Sequence, residues 1–323
     1  MSSEDQSDIM YNSFDGFLEN LSNLRPSIVT DLDGTERRVF NFNNGTPVFF
    51  VAGEMEGIDW MDIYLCLPSQ VRASRLDLNR RLLQANCLFS NQPIPAWFAA
   101  NEQGQTFYIS RLDWRCLRAE TVVSFIDNLC QRINAVDLSS LNSAVVTAAA
   151  ANDPSKNSTG DNIDYEIGTI LPPNPDYENY MKQISDKHPS EEMGDKTIFY
   201  FDGRPVYFLR GEVDGEIHWF DIIMEMEVCR TNKLEATQLL LESNQEMGLS
   251  TPIPTWFAAS SNNDKALFVN RLDWRHVTLE VLEDHIRRCY EQMGEALIQE
   301  SAQKHAKNSR HHAPTFKDRH RTL

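Results

Sequence analysis

No stretch of this chain approaches the roughly 18 uninterrupted apolar residues of a membrane span. Its opening residues, MSSEDQSDIM, are polar and acidic, with no basic segment leading into an apolar one, so no secretory signal is readable and the cytosol is the expected compartment. Basic residues are in deficit: 30 Lys and Arg stand against 47 Asp and Glu, a formal net charge of −17. That argues against general nucleic-acid binding, which needs clustered cations to displace counterions from phosphates, and it suits either a protein that repels its own copies or one that receives basic partners. Cysteines are few and scattered (Cys66, Cys87, Cys116, Cys130, Cys229, Cys289), and no CxxC occurs. Structural zinc wants closely paired ligands, so these read as small buried residues or plain thiols. There is also no GxSxG, no phosphate-binding loop, no GxGxxG and no HExxH. The expectation is a protein with no catalytic residue, no metal and no cofactor.

What is present is a repeat. Pro93-Ile-Pro-Ala-Trp-Phe-Ala-Ala100 returns as Pro252-Ile-Pro-Thr-Trp-Phe-Ala-Ala259, and Arg111-Leu-Asp-Trp-Arg115 returns unchanged as Arg271-Leu-Asp-Trp-Arg275. Gly53-Glu54, Trp60-Met-Asp-Ile63 and Leu82-Leu-Gln-Ala-Asn86 recur in the same order as Gly211-Glu212, Trp219-Phe-Asp-Ile222 and Leu240-Leu-Glu-Ser-Asn244. All six tryptophans lie in the repeats at matching places, whereas Cys116 faces His276 and Cys66 faces Glu225, so no site shared by both copies depends on thiols. The expected organisation is a first domain over 1–138, a linker over 139–175, a second domain over 176–300 and a basic, disordered tail over 301–323. The tail sets Lys304, Lys307, Arg310, Lys317, Arg319 and Arg321 against a single acid, Asp318. The linker carries Pro172-Pro-Asn-Pro175, a composition that ends regular structure.

Each copy opens on an amphipathic helix, with Phe14, Phe17, Leu18 and Leu21 at helical spacing in the first and Tyr177, Tyr180, Met181 and Ile184 in the second. Three strands follow. Asn-Gly at 44–45 and Asp-Gly at 202–203 serve as hairpin turns, because both residue types tolerate positive φ. In the third strand Met61, Ile63 and Leu65, or Phe220, Ile222 and Met224, point to a core. Trp60, Asp62 and Tyr64, or Trp219, Asp221 and Ile223, point the other way, and that mixed face is expected to be half covered. A second helix, two more strands and a closing amphipathic helix complete the order α-β-β-β-α-β-β-α, twice. This predicts an α+β fold of two tandem antiparallel sheets packed with helices.

Two sets of residues are candidates for function. Trp60, Tyr64 and Tyr108, with their counterparts Trp219, Ile223 and Phe268, are the aromatic and aliphatic positions expected to face a binding partner. Arg111, Asp113 and Arg115, with Arg271, Asp273 and Arg275, form either a polar rim beside a peptide groove or surface ion pairs at a strand end.

The helix carrying Leu82-Leu-Gln-Ala-Asn86 or Leu240-Leu-Glu-Ser-Asn244, the short strand pair, the Arg-Leu-Asp-Trp stretch and the closing helix resemble the class I type III secretion chaperones, the Tir chaperone/CesT-like fold. The YbjN-like family shares that fold and much of the pattern. The resemblance implies a non-enzymatic, acidic protein of the bacterial cytosol. Such a protein acts as a chaperone or adaptor holding an extended segment of a client such as a secretion substrate. The YbjN-like alternative is a regulatory or scaffold protein. Members of the chaperone family are one domain long and dimerise. A tandem chain is therefore expected to build an intramolecular pseudo-dimer, with a protein or peptide client as partner and neither nucleic acid nor membrane.

Overall fold

The computed structural model describes residues 11, 13–32, 35–42, 45–55, 58–67, 74–88, 93–135, 177–193, 196–213, 216–226, 233–260, 265–291 and 293. The expected linker and basic tail, Cys229 and most of the acidic N-terminus lie outside the described residues. The chain divides into two compact units, Met1–Leu279 and Glu280–Leu323. Both sheets belong to the first, so the sheets of the two copies lie in one compact unit.

The first copy runs α1 (Phe14–Leu24), β1 (Ser27–Leu32), β2 (Thr35–Phe42), β3 (Thr46–Met55), β4 (Ile58–Cys66), α2 (Arg75–Leu88), β5 (Ala96–Ala100), β6 (Thr106–Leu112), a 3-10 turn (Trp114–Cys116) and α3 (Ala119–Ala135). The second runs α4 (Tyr177–Lys187), β7 (Ser190–Met193), β8 (Lys196–Phe201), β9 (Arg204–Val213), β10 (Glu216–Met226), α5 (Lys233–Ser250), β11 (Thr255–Ala259), β12 (Ala266–Leu272) and a 3-10 turn (Trp274–His276). Each copy contributes one six-stranded antiparallel sheet, ordered β1-β2-β3-β4-β6-β5 and β7-β8-β9-β10-β12-β11. A sixth helix, α6, covers 279–291. In the second unit its Leu282, Ile286 and Cys289 form one buried stripe, and Asp284 pairs with Arg287 and Arg288.

The α+β class, the antiparallel sheets and the tandem arrangement are as the sequence predicts. Each sheet has one strand more than predicted. β1 and β7 were hidden because neither alternates: β1 leaves Ile28 and Val29 exposed, and β7, Ser-Glu-Glu-Met, is exposed throughout. They are strands because β2 and β8 supply ladders to pair with. Local chemistry fits where it was legible. Ser13 caps α1 by accepting from the Gly16 N–H. The β8–β9 hairpin turns on Asp202 (φ 51°) and Gly203 (φ 77°), the pair of positive φ values that a two-residue turn of this twist requires.

Both faces of each sheet are covered. On one face Phe17 of α1 meets Phe50 edge-on, and Phe50 meets Phe40 in the same way. Tyr180 of α4 stacks on Phe220 in the second copy. On the other face Val39, Phe49, Tyr64, Trp97, Phe107 and Ile109 join Leu209, Ile223, Trp256, Leu267 and Val269 in a single apolar cluster drawn from both copies. The face expected to be half covered is thus buried, with Tyr64 at 1% exposure. The mixed pattern misled because its covering partner is the other copy.

Candidate functional site

The residues that recur most faithfully converge where the copies meet. β4 and β6 set Asp62 directly opposite Arg111, and β10 and β12 set Asp221 opposite Arg271. Side chains at paired positions share a sheet face, so each pair closes as a two-pronged ion pair. Arg111 donates from Nε to Asp62 Oδ1 at 2.7 Å and from Nη2 to Oδ2 at 2.8 Å. Arg271 repeats this on Asp221 at 2.8 and 2.9 Å. All four side chains are buried. Burial pushes both carboxyls above the ordinary aspartate range, and each facing guanidinium pulls against it.

Tryptophans sandwich the arginines. The Arg111 guanidinium lies 4.9 Å from the Trp60 ring centre and 5.7 Å from that of Trp97. Arg271 lies 4.7 Å from Trp219 and 5.9 Å from Trp256. Trp60 pairs across the ladder with Gly53, and Trp219 with Gly211. The indoles occupy the space a Cβ at those glycines would need, which explains why a Gly-Glu…Trp pattern recurs. The third guanidinium nitrogen leaves its own copy. Arg111 Nη1 donates to the Thr251 carbonyl at 2.5 Å, and Arg271 Nη1 to the Pro93 carbonyl at 3.5 Å.

Two asparagines complete the junction. β5 and β11 are edge strands, and the backbone of Phe98 and Phe257 points away from the sheet. Asn86 Oδ1 accepts from the Phe98 N–H at 2.6 Å, and Asn244 Oδ1 from the Phe257 N–H at 2.5 Å. Each Nδ2 then donates to both the Phe98 and the Phe257 carbonyls at 3.0 Å, once within its own copy and once across. Trp97 Nε1 donates to the Asn244 carbonyl and Trp256 Nε1 to that of Asn86, both at 3.1 Å. The two indoles lie parallel, 5.9 Å apart with 2° between their planes. The same groups serve both sides, as at a self-complementary two-fold interface.

This geometry corrects several expectations. Trp60, Tyr64, Tyr108, Trp219, Ile223 and Phe268 are all buried, so none presents a surface to a client. Nor do they share a face. Tyr108 pairs with Leu65 and Phe268 with Met224, on the opposite side of the sheet from Tyr64 and Ile223. Arg111 and Arg271 belong to the buried junction and not to a rim. The other rim positions are local clasps. Asp113 caps its 3-10 turn through the Arg115 N–H and holds the Arg115 guanidinium, and Asp273 does the same with Arg275. Asn86 and Asn244 were visible as repeated polar residues in Leu-Leu-x-x-Asn, but nothing local signals that they cap strand edges in both copies.

Burial disfavours the thiolate at Cys66, Cys87, Cys130 and Cys289. Burial pushes Cys66 and Cys130 up to about 11, and Cys289 up to about 12. In the second unit Cys289 Sγ lies 3.5 Å from His285 Nε2, yet burial lowers that histidine to about 4, so the pair is neutral. Among the described residues no cluster of three His, Cys, Asp or Glu is placed to hold a metal ion, and no helix is long and apolar enough to cross a membrane. The chain matches no family model, no curated protein and no solved structure.

Proposed function

We propose that this chain is a non-enzymatic protein-binding body, a chaperone or adaptor that holds an extended segment of a client. The observation that carries the reading is where the recurrent polar residues go. Asp62, Arg111, Asn86 and their counterparts are turned inward on one another and on backbone carbonyls of the opposite copy. What repeats is therefore a joint, and among the described strands β1 and β7 keep an outer edge that the joint does not use. Sheet ends are suited to extended polypeptide, because main-chain hydrogen bonding takes a strand with little demand on its sequence.

The resemblance of each copy to the class I secretion chaperones supports the same reading, with the two copies standing in for two subunits. A secretion substrate in the bacterial cytosol is the client class that this resemblance favours. Affinity capture with mass spectrometry tests it. The expected result is one dominant protein, bound through a segment that gains protection from protease. A clean bait from cells making the candidate clients contradicts the proposal.

A further inference from the structure

The two outer edges are not alike. β1 is six residues long and pairs with β2 from Ser27↔Phe40 to Leu32↔Thr35. β7 is four residues long and pairs with β8 from Ser190↔Phe199 to Met193↔Lys196. The ladders align the copies residue by residue: Ile28 opposite Val39 corresponds to Glu191 opposite Ile198, and Val29 opposite Arg38 corresponds to Glu192 opposite Thr197. At these two positions the first copy is aliphatic and exposed, Ile28 at 59% and Val29 at 64%, while the second is acidic. The glutamates are also tied down, Glu191 by the Tyr200 hydroxyl and Glu192 by the Thr197 hydroxyl. Short length and charge are the devices that close a sheet edge to further strands; β7 is four residues long with adjacent glutamates, whereas β1 is six residues long, carries the single acid Asp31 and has Ile28 and Val29 at the places of those glutamates.

The backbone of β1 is arranged for pairing. The Asn41 N–H donates to the Pro26 carbonyl, which fixes the alternation: Pro26, Ile28 and Thr30 face β2, and the N–H and C=O groups of Ser27, Val29 and Asp31 face outward. Three of the six exposed large hydrophobics among the described residues, Leu24, Ile28 and Val29, fall in this short stretch. The nearest basic residues on the neighbouring strand are engaged inward, Arg37 over the Phe49 ring and Arg38 on Ser22.

The geometry points to β1 as a single strand-addition site, the one outer edge among the described strands open to a partner. Resting on the chaperone reading above, it takes an extended segment of another protein, aliphatic at alternate positions and flanked by Lys or Arg. Charge decides between that occupant and a second copy of the chain. At −17, two copies repel as their edges approach, whereas a basic segment is drawn in. The divergence of β7 makes the body one-sided, so one chain holds one segment.

The test uses the full chain and a synthetic peptide that alternates valine and threonine between lysine pairs. Binding is followed by fluorescence anisotropy, and backbone protection by hydrogen exchange. The peptide is expected to saturate at one per chain and to protect the amides of Ser27, Val29 and Asp31. Val29→Pro removes an outward N–H and leaves the β2-facing bonds of Ile28 and Thr30 in place, so it is expected to weaken binding about tenfold while the fold persists. The double variant Ile28→Thr with Val29→Thr keeps strand preference, removes the apolar contacts and weakens binding too. Glu191→Ile with Glu192→Val opens the second edge and moves the stoichiometry toward two. Unchanged binding in both β1 variants, protection that maps elsewhere, or self-association through β1 that the peptide does not displace overturns the inference. A chain that captures a client in cells yet fails the peptide test keeps the functional reading and loses this site; peptide binding at β1 without any captured client does the reverse.

Discussion

An aspartate and an arginine buried together depend on each other. Asp62 and Arg111 have given up water, and each now satisfies the other's hydrogen bonds. Removing only the acid, as in Asp62→Ala, strands a buried guanidinium and is expected to lower unfolding free energy by about 3–5 kcal/mol. Replacing both partners, as in Asp62→Leu with Arg111→Met, is expected to recover most of that loss in urea titrations. Tyr64 gives the opposite sign. Its hydroxyl is buried without a hydrogen-bond partner, and the second copy has Ile223 at that place. Tyr64→Phe is therefore expected to raise stability by about 1 kcal/mol in the same titration. His285 supplies a pH dependence. Burial lowers it from 6.5 to about 4 in the folded protein. Below pH 6.5 the unfolded chain binds a proton that the folded chain refuses, so its contribution is fully present above 6.5 and is lost as pH falls toward 4, up to about 3 kcal/mol. Denaturation of wild type and His285→Gln between these pH values checks it, with a flatter slope expected in the variant. The sequence showed that Asp62 and Arg111 recur together; only strand register, which it does not encode locally, shows that they pair.

Elements were legible where period and turn chemistry agree. β4, β6, β10 and β12 alternate, and the Asp202-Gly203 turn has the residues its φ values demand. Gly203→Ala places a Cβ on a left-handed residue and is expected to destabilise by about 1–2 kcal/mol, measured as a shift in the urea midpoint. β1 and β7 were illegible because an edge strand with one neighbour carries no burial pattern. The side of the sheet on which Tyr108 and Phe268 lie was misread for a related reason. Alternation within one strand does not say which side of the next strand it matches, and a one-residue slip of register reverses every side chain.

At the scale of the whole molecule, the repeat was plain in the sequence and its meaning was not. The asparagine bridges, the parallel tryptophans and the mixed apolar cluster hold the sheets of both copies in one compact unit. Tyr64 and Ile223 are buried because the cover for their face is the chain's own other copy, which no local pattern specifies. That both copies act as one body is the central claim, and native-state hydrogen exchange on Asn244→Ala tests it most directly. The substitution removes donors to the Phe98 and Phe257 carbonyls and the acceptor of the Phe257 N–H, with one of those bonds reaching into the first copy. The expected result is a joint loss of protection in β11 and in β5 and α2 of the first copy. Loss confined to the second copy, with β5 and α2 protected as in wild type, would contradict it.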